Sequence, residues 1–306
     1  MDQDKNLFSD VLPIILMGGL FVVIHFLALL LVLPFDAAGM QAFEETDNPA
    51  NLVYIFAIIL AVTVIILLIA KFWKKQLIKL IILGAIGYTA FWVFQPLFLF
   101  ILPWQIGMPF SVLIAIALII TLYKYPEWYV IDICGIIVGA GAIAIFGISL
   151  GVFLVIALLI GLAIYDAISV YKTKHMIDLA DTVMDLKLPV LLVVPKVRHY
   201  SLMRETKSLK EKLKEGGERD AFFMGLGDVV MPGILVAAIY HNISNGLPIA
   251  LSIIAGTLFG FAVLMTFVIK GKPQAGLPFL CGGAILGYVI SSYVLFGELT
   301  GLTFVF

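Results

Sequence analysis

Nine apolar stretches follow one another along the chain, most of them close to twenty residues long. A helix needs about 20 apolar residues to cross roughly 30 Å of hydrocarbon. The stretches fall at 11–34, 51–72, 80–102, 108–123, 129–147, 149–171, 221–243, 247–269 and 276–296. The fourth is short, and almost nothing separates the fifth from the sixth. The expected fold class is all-α, a polytopic membrane protein with nine transmembrane helices. Composition agrees: 62% of residues are hydrophobic and 13% charged, with mean hydropathy +1.13. A soluble domain has about 45–50% apolar and about 25% charged residues. The acid-rich N-terminus precedes an apolar run too long for a signal-peptide core, so that run is retained as a span. Pro103, Pro126 and Pro273 lie near span ends, where a missing N–H costs little.

The basic residues set an orientation. Lys71, Lys74, Lys75 and Lys79 separate spans two and three, Lys124 separates four and five, and Lys270 and Lys272 separate eight and nine. The loop 172–219 carries eleven Lys and Arg. With Lys5, nine spans put all 19 basic residues on one side. The loop 36–50 opposite has Asp36, Glu44, Glu45 and Asp47 and no base. The positive-inside rule then places the N-terminus and the 172–219 loop in the cytosol and the C-terminus outside. Organisation follows as spans one to six over 1–171, a cytosolic loop over 172–219, and spans seven to nine over 220–306, forming one integral membrane domain. Within the loop, 188–195 is β-branched, proline-bounded and too short to span. It reads as a short strand or a membrane-surface segment. The second half, Arg204 to Arg219, reads as a charged, solvated stretch.

Two carboxylates stand out against this background. Asp228 lies in Met224-Gly225-Leu226-Gly227-Asp228-Val229-Val230-Met231-Pro232, inside span seven. An acid there costs at least about 2.5–3.5 kcal/mol on insertion scales, which makes function its default reading. Asp166 lies six residues before Lys172, about 9 Å into the membrane at helical rise. Asp228 lies eight residues after Asp220, about 12 Å in from the same face. Two antiparallel spans thus bring acids to nearly one depth. Burial and a neighbouring negative charge both disfavour ionisation, so the pair is expected to hold one proton between them. One carboxylate can then activate a water as general base while the other donates to a carbonyl oxygen. Gly225, read as one helical turn before Asp228, leaves a bare surface beside the acid. Pro232 removes the N–H that would bond the Asp228 carbonyl and favours a kink.

Gly225-Leu226-Gly227-Asp228 on one span and Tyr165-Asp166 on the preceding one resemble the paired motifs of presenilins and signal peptide peptidases, nine-span intramembrane aspartyl proteases. Their third motif, Pro-Ala-Leu before the last span, is matched here by Ala275-Gly276-Leu277-Pro278, with the leading proline absent and Gly276 in place of alanine. The resemblance implies a presenilin-like fold, Asp166 and Asp228 as the catalytic pair, and a site shaped by Tyr165, Gly225, Leu226, Gly227, Pro232 and Ala275 to Pro278. It implies membrane-spanning protein substrates with their N-termini outside, in keeping with the presenilin-like orientation, and no metal or cofactor. Beyond substrates and the lipid bilayer no partner is specified, and a net charge of −1 gives no reason to expect nucleic acid. Two other readings share some features: a prepilin-peptidase-type aspartyl protease, and a proton-coupled transporter using Asp132, Asp166 and Asp228 as a relay.

The remaining polar residues in apolar segments have plainer readings. Asp132, near Trp128 and Tyr129, reads as a shallow acid reaching the headgroups. His25 reads as a buried, hydrogen-bonded histidine. His175, His199 and His241 form no ligand cluster, and Cys134 and Cys281 give neither a disulfide framework nor a metal spacing. Gly135/Gly139, Gly256/Gly260 and Gly283/Gly287 read as helix-packing faces. Tyr288, Ser291, Ser292 and Tyr293 in span nine are expected to face other helices, and the sequon at Asn242 hugs the membrane.

Overall fold

Backbone in hydrocarbon must satisfy its own hydrogen bonds, so long apolar runs become helices. The computed structural model describes residues 2–72, 75–173, 190–197, 200–203, 220–269 and 274–302. Among them the helices are α1 (Asp2–Ala37), α2 (Ala50–Phe72), α3 (Lys75–Ile101), α4 (Trp104–Lys124), α5 (Trp128–Ser149), α6 (Val152–Ile168), α7 (Leu226–Asn242), α8 (Leu247–Val268) and α9 (Leu277–Phe296). Seven carry helical segments long and apolar enough to cross a membrane, while α7 and the apolar stretch Ala50–Ile65 of α2 are shorter. Punctuation is as polymer chemistry demands. Pro103 caps α4, and α9 stops at Gly297, whose φ of 75° is the left-handed conformation glycine adopts freely.

Helix α7 is the centre of the molecule. From Val229 to Ile239 nearly every side chain is buried, the pattern of a helix apolar all round. It packs against α1, α5, α6, α8 and α9. Helices α8 and α9 lie against each other at backbone distance. A Cβ on Gly256, Gly260 or Gly283 would run into a carbonyl of the facing helix, which is the packing role read for these glycines. Outward faces of the bundle carry exposed Leu, Ile, Val and Phe throughout, as a lipid-facing surface requires.

The departure from all-α character is a two-stranded antiparallel sheet of β1 (Leu191–Pro195) and β2 (Ala221–Gly225). Strand β1 lies in the proline-bounded run at 188–195. Strand β2 corrects the expectation for span seven, which does not begin as helix at 221. Ala221 to Gly225 pair with Pro195 to Leu191, and helix starts at Leu226. A short apolar run has no periodicity that separates strand from helix, and here β1 supplies the partner that decides it. The helical rise used to place Asp228 therefore does not apply over 221–225. Other boundaries shift without changing the type of element: α1 begins at Asp2 and α4 at Trp104.

Asp132 is a second correction. It is 6% exposed and accepts the Val193 N–H at 2.8 Å, so it holds β1 rather than reaching outward. A third concerns α9. Tyr288 donates to the Thr300 carbonyl at 2.8 Å and Ser292 to the Glu298 carbonyl at 2.7 Å, holding the segment after the helix. Ser291 donates within its own helix to Gly287, and Tyr293 is exposed. His25 is buried, with Nδ1 2.6 Å from the Phe21 carbonyl. Asn242 donates to the Ala238 carbonyl of its own helix at 2.9 Å. Lys74, His175, His199, 204–219, Lys270, Lys272, Pro273 and most of the 172–219 loop lie outside the described residues.

Candidate active site

Three helix ends meet at the two acids. Asp166 sits near the end of α6, just before the helix loosens into a π-helical turn at Ser169–Thr173. It is 3% exposed and accepts the Leu277 N–H on Oδ2 at 3.1 Å, and the Gly276 amide faces the same carboxylate. Leu277 is the first residue of α9, so Asp166 occupies the N-terminus of that helix, where backbone donors lack intrahelical partners. Pro278 lies in this first turn, where the absent N–H would have had no helical acceptor.

Asp228 enters from the first turn of α7. Its carboxylate lies over two bare α-carbons. A Cβ on Gly276 would stand 2.9 Å from Asp228 Oδ2, and one on Gly225 3.3 Å from the same atom. Gly225 is the last residue of β2 rather than a helical residue, yet it leaves the space beside the acid that the sequence requires. The 275–278 segment thus touches both acids, Asp166 through the Leu277 amide and Asp228 through Gly276. Each carboxylate lies in the electrostatic field of the other, and Cys281, one turn into α9, lies in the field of both.

Of the residues singled out in the sequence, Asp166, Asp228, Gly225, Gly276 and Leu277 form the immediate site. Ala275 is fully buried behind it. Gly227 is exposed, and a Cβ there would meet nothing within 4 Å, so this side of Asp228 is open. Three others lie apart. Tyr165 turns away from the acids and, 47% exposed, lines an apolar cavity of about 430 Å³ between α2 and α6 with Leu52, Phe56, Leu60 and Leu162. Leu226 points at α5, over Gly135 and Gly139. Pro232 is buried one turn deeper in α7, and the helix continues through it.

Sequence reasoning did not find the Tyr171–Gln274 hydrogen bond, 2.6 Å long, which ties the turn after Asp166 to the segment before α9. Nothing local marks these two residues as partners 103 positions apart. Among the described residues no group of three or more His, Cys, Asp and Glu could hold a metal ion.

The chain matches the family described as "Signal-peptide peptidase, presenilin aspartyl protease" over residues 18–297. Two solved structures, each of a presenilin family intramembrane aspartate protease, resemble it closely. The one in space group C222 is 33% identical, with a TM-score of 0.67, covering 93% of this chain and 99% of that chain. The one in space group P2 is 36% identical, with a TM-score of 0.67, covering 91% of this chain and 96% of that chain. Comparison with curated proteins gave no match. Neither a prepilin-peptidase-type enzyme nor a transporter is favoured by these likenesses. On a match that takes in most of its length, this chain belongs to the signal-peptide peptidase and presenilin family of aspartyl proteases.

Proposed function

We propose that Asp166 and Asp228 are the catalytic dyad of an intramembrane aspartyl protease that cleaves membrane-spanning protein substrates. The observation that carries this is their convergence on one helix N-terminus, with Gly276 under one carboxylate and the Leu277 amide on the other. The chain is an integral, multi-pass membrane protein of a protease family whose substrates are transmembrane. The dyad holds one proton. The ionised carboxylate takes a proton from a water, whose oxygen attacks the scissile carbonyl carbon, and the protonated one donates to the carbonyl oxygen. Collapse of the tetrahedral intermediate breaks the C–N bond, with a proton returned to the leaving amine. Water and substrate reach Asp228 on the open side left by Gly227.

The sheet supplies a docking edge. An outer N–H of β1, that of Val193, is taken by Asp132, so it faces away from β2. The hydrogen-bonded pairs are then Leu192↔Met224 and Val194↔Phe222, and Ala221 and Phe223 turn their amides away from β1. Among the described residues no hydrogen bond is made to Ala221 or Phe223 on that edge. Ala221 is buried, so a substrate strand, unwound from its helix, adds by β-augmentation at Phe223 and leads into Asp228 three residues past β2. The donor offered lies on β2, since Asp132 occupies the outer Val193 N–H of β1. The basic loops support an orientation with the N-terminus and the 172–219 loop in the cytosol, and hence substrates with their N-termini outside.

The test is cleavage of a single-span substrate in detergent by wild type, Asp166→Asn and Asp228→Asn. Each substitution is expected to abolish cleavage with the protein still monodisperse. Activity surviving in either variant overturns the dyad.

A further inference from the structure

Helix α5 contributes no group to the dyad, yet an acid in its first turns faces β1 and the acid at its N-cap faces the residues that follow β1. Asp132 Oδ1 accepts the outer N–H of Val193 at 2.8 Å. Glu127 accepts the Ser201 hydroxyl at 2.7 Å and the Leu202 N–H at 3.1 Å. The face that begins with Asp132 continues through Gly135 and Gly139, three and seven residues on, which share a side of the helix. A Cβ on Gly135 would lie 3.2 Å from the Leu192 side chain and 3.7 Å from that of Leu226. One on Gly139 would lie 3.1 Å from Leu226 and 3.5 Å from Val230. This single face of α5 therefore cradles β1 and the first turn of α7, on either side of Asp228.

We infer that Asp132 is a positioning residue that sets the register in which substrate meets the dyad. The inference rests on the protease reading and on docking at the β2 edge. Asp132 closes the outer edge of β1, which leaves β2 as the edge a substrate strand can join. It also braces β1 against α5, and the β1–β2 pairing passes that brace to β2, whose last residue lies three before Asp228. β2 stays joined to Asp228 through the chain, so what loosens without the brace is its pairing with substrate, and each one-residue shift of the substrate strand on β2 moves it about 3.3 Å past the dyad. The bond presented for cleavage then changes. Asp132 touches no reacting atom, so its loss alters where cleavage falls as well as how fast it runs.

The experiment compares wild type, Asp132→Asn, Asp132→Leu and Asp228→Asn on one single-span substrate, reading kcat/KM and the cleaved bonds by mass spectrometry. Asn keeps an oxygen acceptor for the Val193 N–H and is expected to cleave at the wild-type bond. Leu removes the acceptor and is expected to spread cleavage over neighbouring bonds, with kcat/KM about ten- to a hundredfold lower. Wild-type positions in Asp132→Leu overturn the inference, and so does Asn behaving as Leu does, because charge rather than the hydrogen bond would then matter. If Asp132→Leu does not fold, Val193→Pro removes the donor while sparing the β1–β2 hydrogen bonds. Unchanged cleavage positions in Val193→Pro likewise overturn the inference. An active Asp228→Asn would instead sink the protease reading, so the two failures are distinguishable.

Discussion

At the scale of single residues, the site depends as much on missing side chains as on the acids. A Cβ on Gly276 would stand 2.9 Å from Asp228 Oδ2, a distance that forces the carboxylate to move. Ala at this position is expected to lower kcat/KM modestly, because the carboxylate can swing aside. Gly276→Val adds branches the site cannot clear and is expected to cost about a hundredfold or more, the scale of a misplaced catalytic group. Equal activity of the glycine, alanine and valine enzymes would contradict this contact. The proposed dyad also predicts a bell-shaped dependence of kcat/KM on pH. When both acids are protonated no base is available, and when both are ionised no acid is. A profile with a single limb would mean that one carboxylate acts alone. Asp166 and Asp228 are legible in sequence because an acid in an apolar span is anomalous. Asp132 is as anomalous, but its partner Val193 lies 61 residues on, and a sequence does not display that pairing.

At the scale of elements, the long helices are legible and the start of α7 is not. Ala221 to Met224 are as apolar as any helix start, and what makes them a strand is β1, twenty-six residues or more upstream. The difference matters, because a strand offers an edge and a helix does not. Phe223 turns its N–H away from β1, so Phe223→Pro removes a docking donor without breaking the β1–β2 ladder. Cleavage is expected to fall about tenfold below that of Phe223→Ala, which loses the same ring packing but keeps the donor, on the order of one lost substrate hydrogen bond. Undiminished cleavage would remove β2 from the account. The α8–α9 contact tests a different link. A Cβ on Gly260 runs into the Phe279 carbonyl, two residues past Leu277. Gly260→Leu is expected to destabilise the protein by about 1–3 kcal/mol in denaturant unfolding, as overpacked cores do. It is also expected to lower activity more than Gly256→Leu, which presses α9 farther from the dyad.

At the scale of the whole molecule, charge and hydropathy predict which side of the membrane each loop occupies. A single cysteine placed in the 172–219 loop, with Cys134 and Cys281 replaced, is expected to react with an impermeant thiol reagent only from the cytosolic side. Labelling from outside would invert the orientation and with it the class of substrate. The architecture joins these scales: α7 is buried at the centre, α6 and α9 bring their ends to its first turn, and α5 supports the sheet beside it. Such convergence of distant segments is what composition and spacing cannot display.

The central claim is that both carboxylates act on one reacting carbon. It is tested most directly by a structure with a bound peptide in which a hydroxyl-bearing tetrahedral carbon replaces the scissile amide, a mimic of the intermediate. The account predicts that hydroxyl within hydrogen-bonding distance of both Asp166 and Asp228, with the flanking peptide paired to β2. A hydroxyl bound to one acid alone, with the other turned to a separate partner, would contradict it.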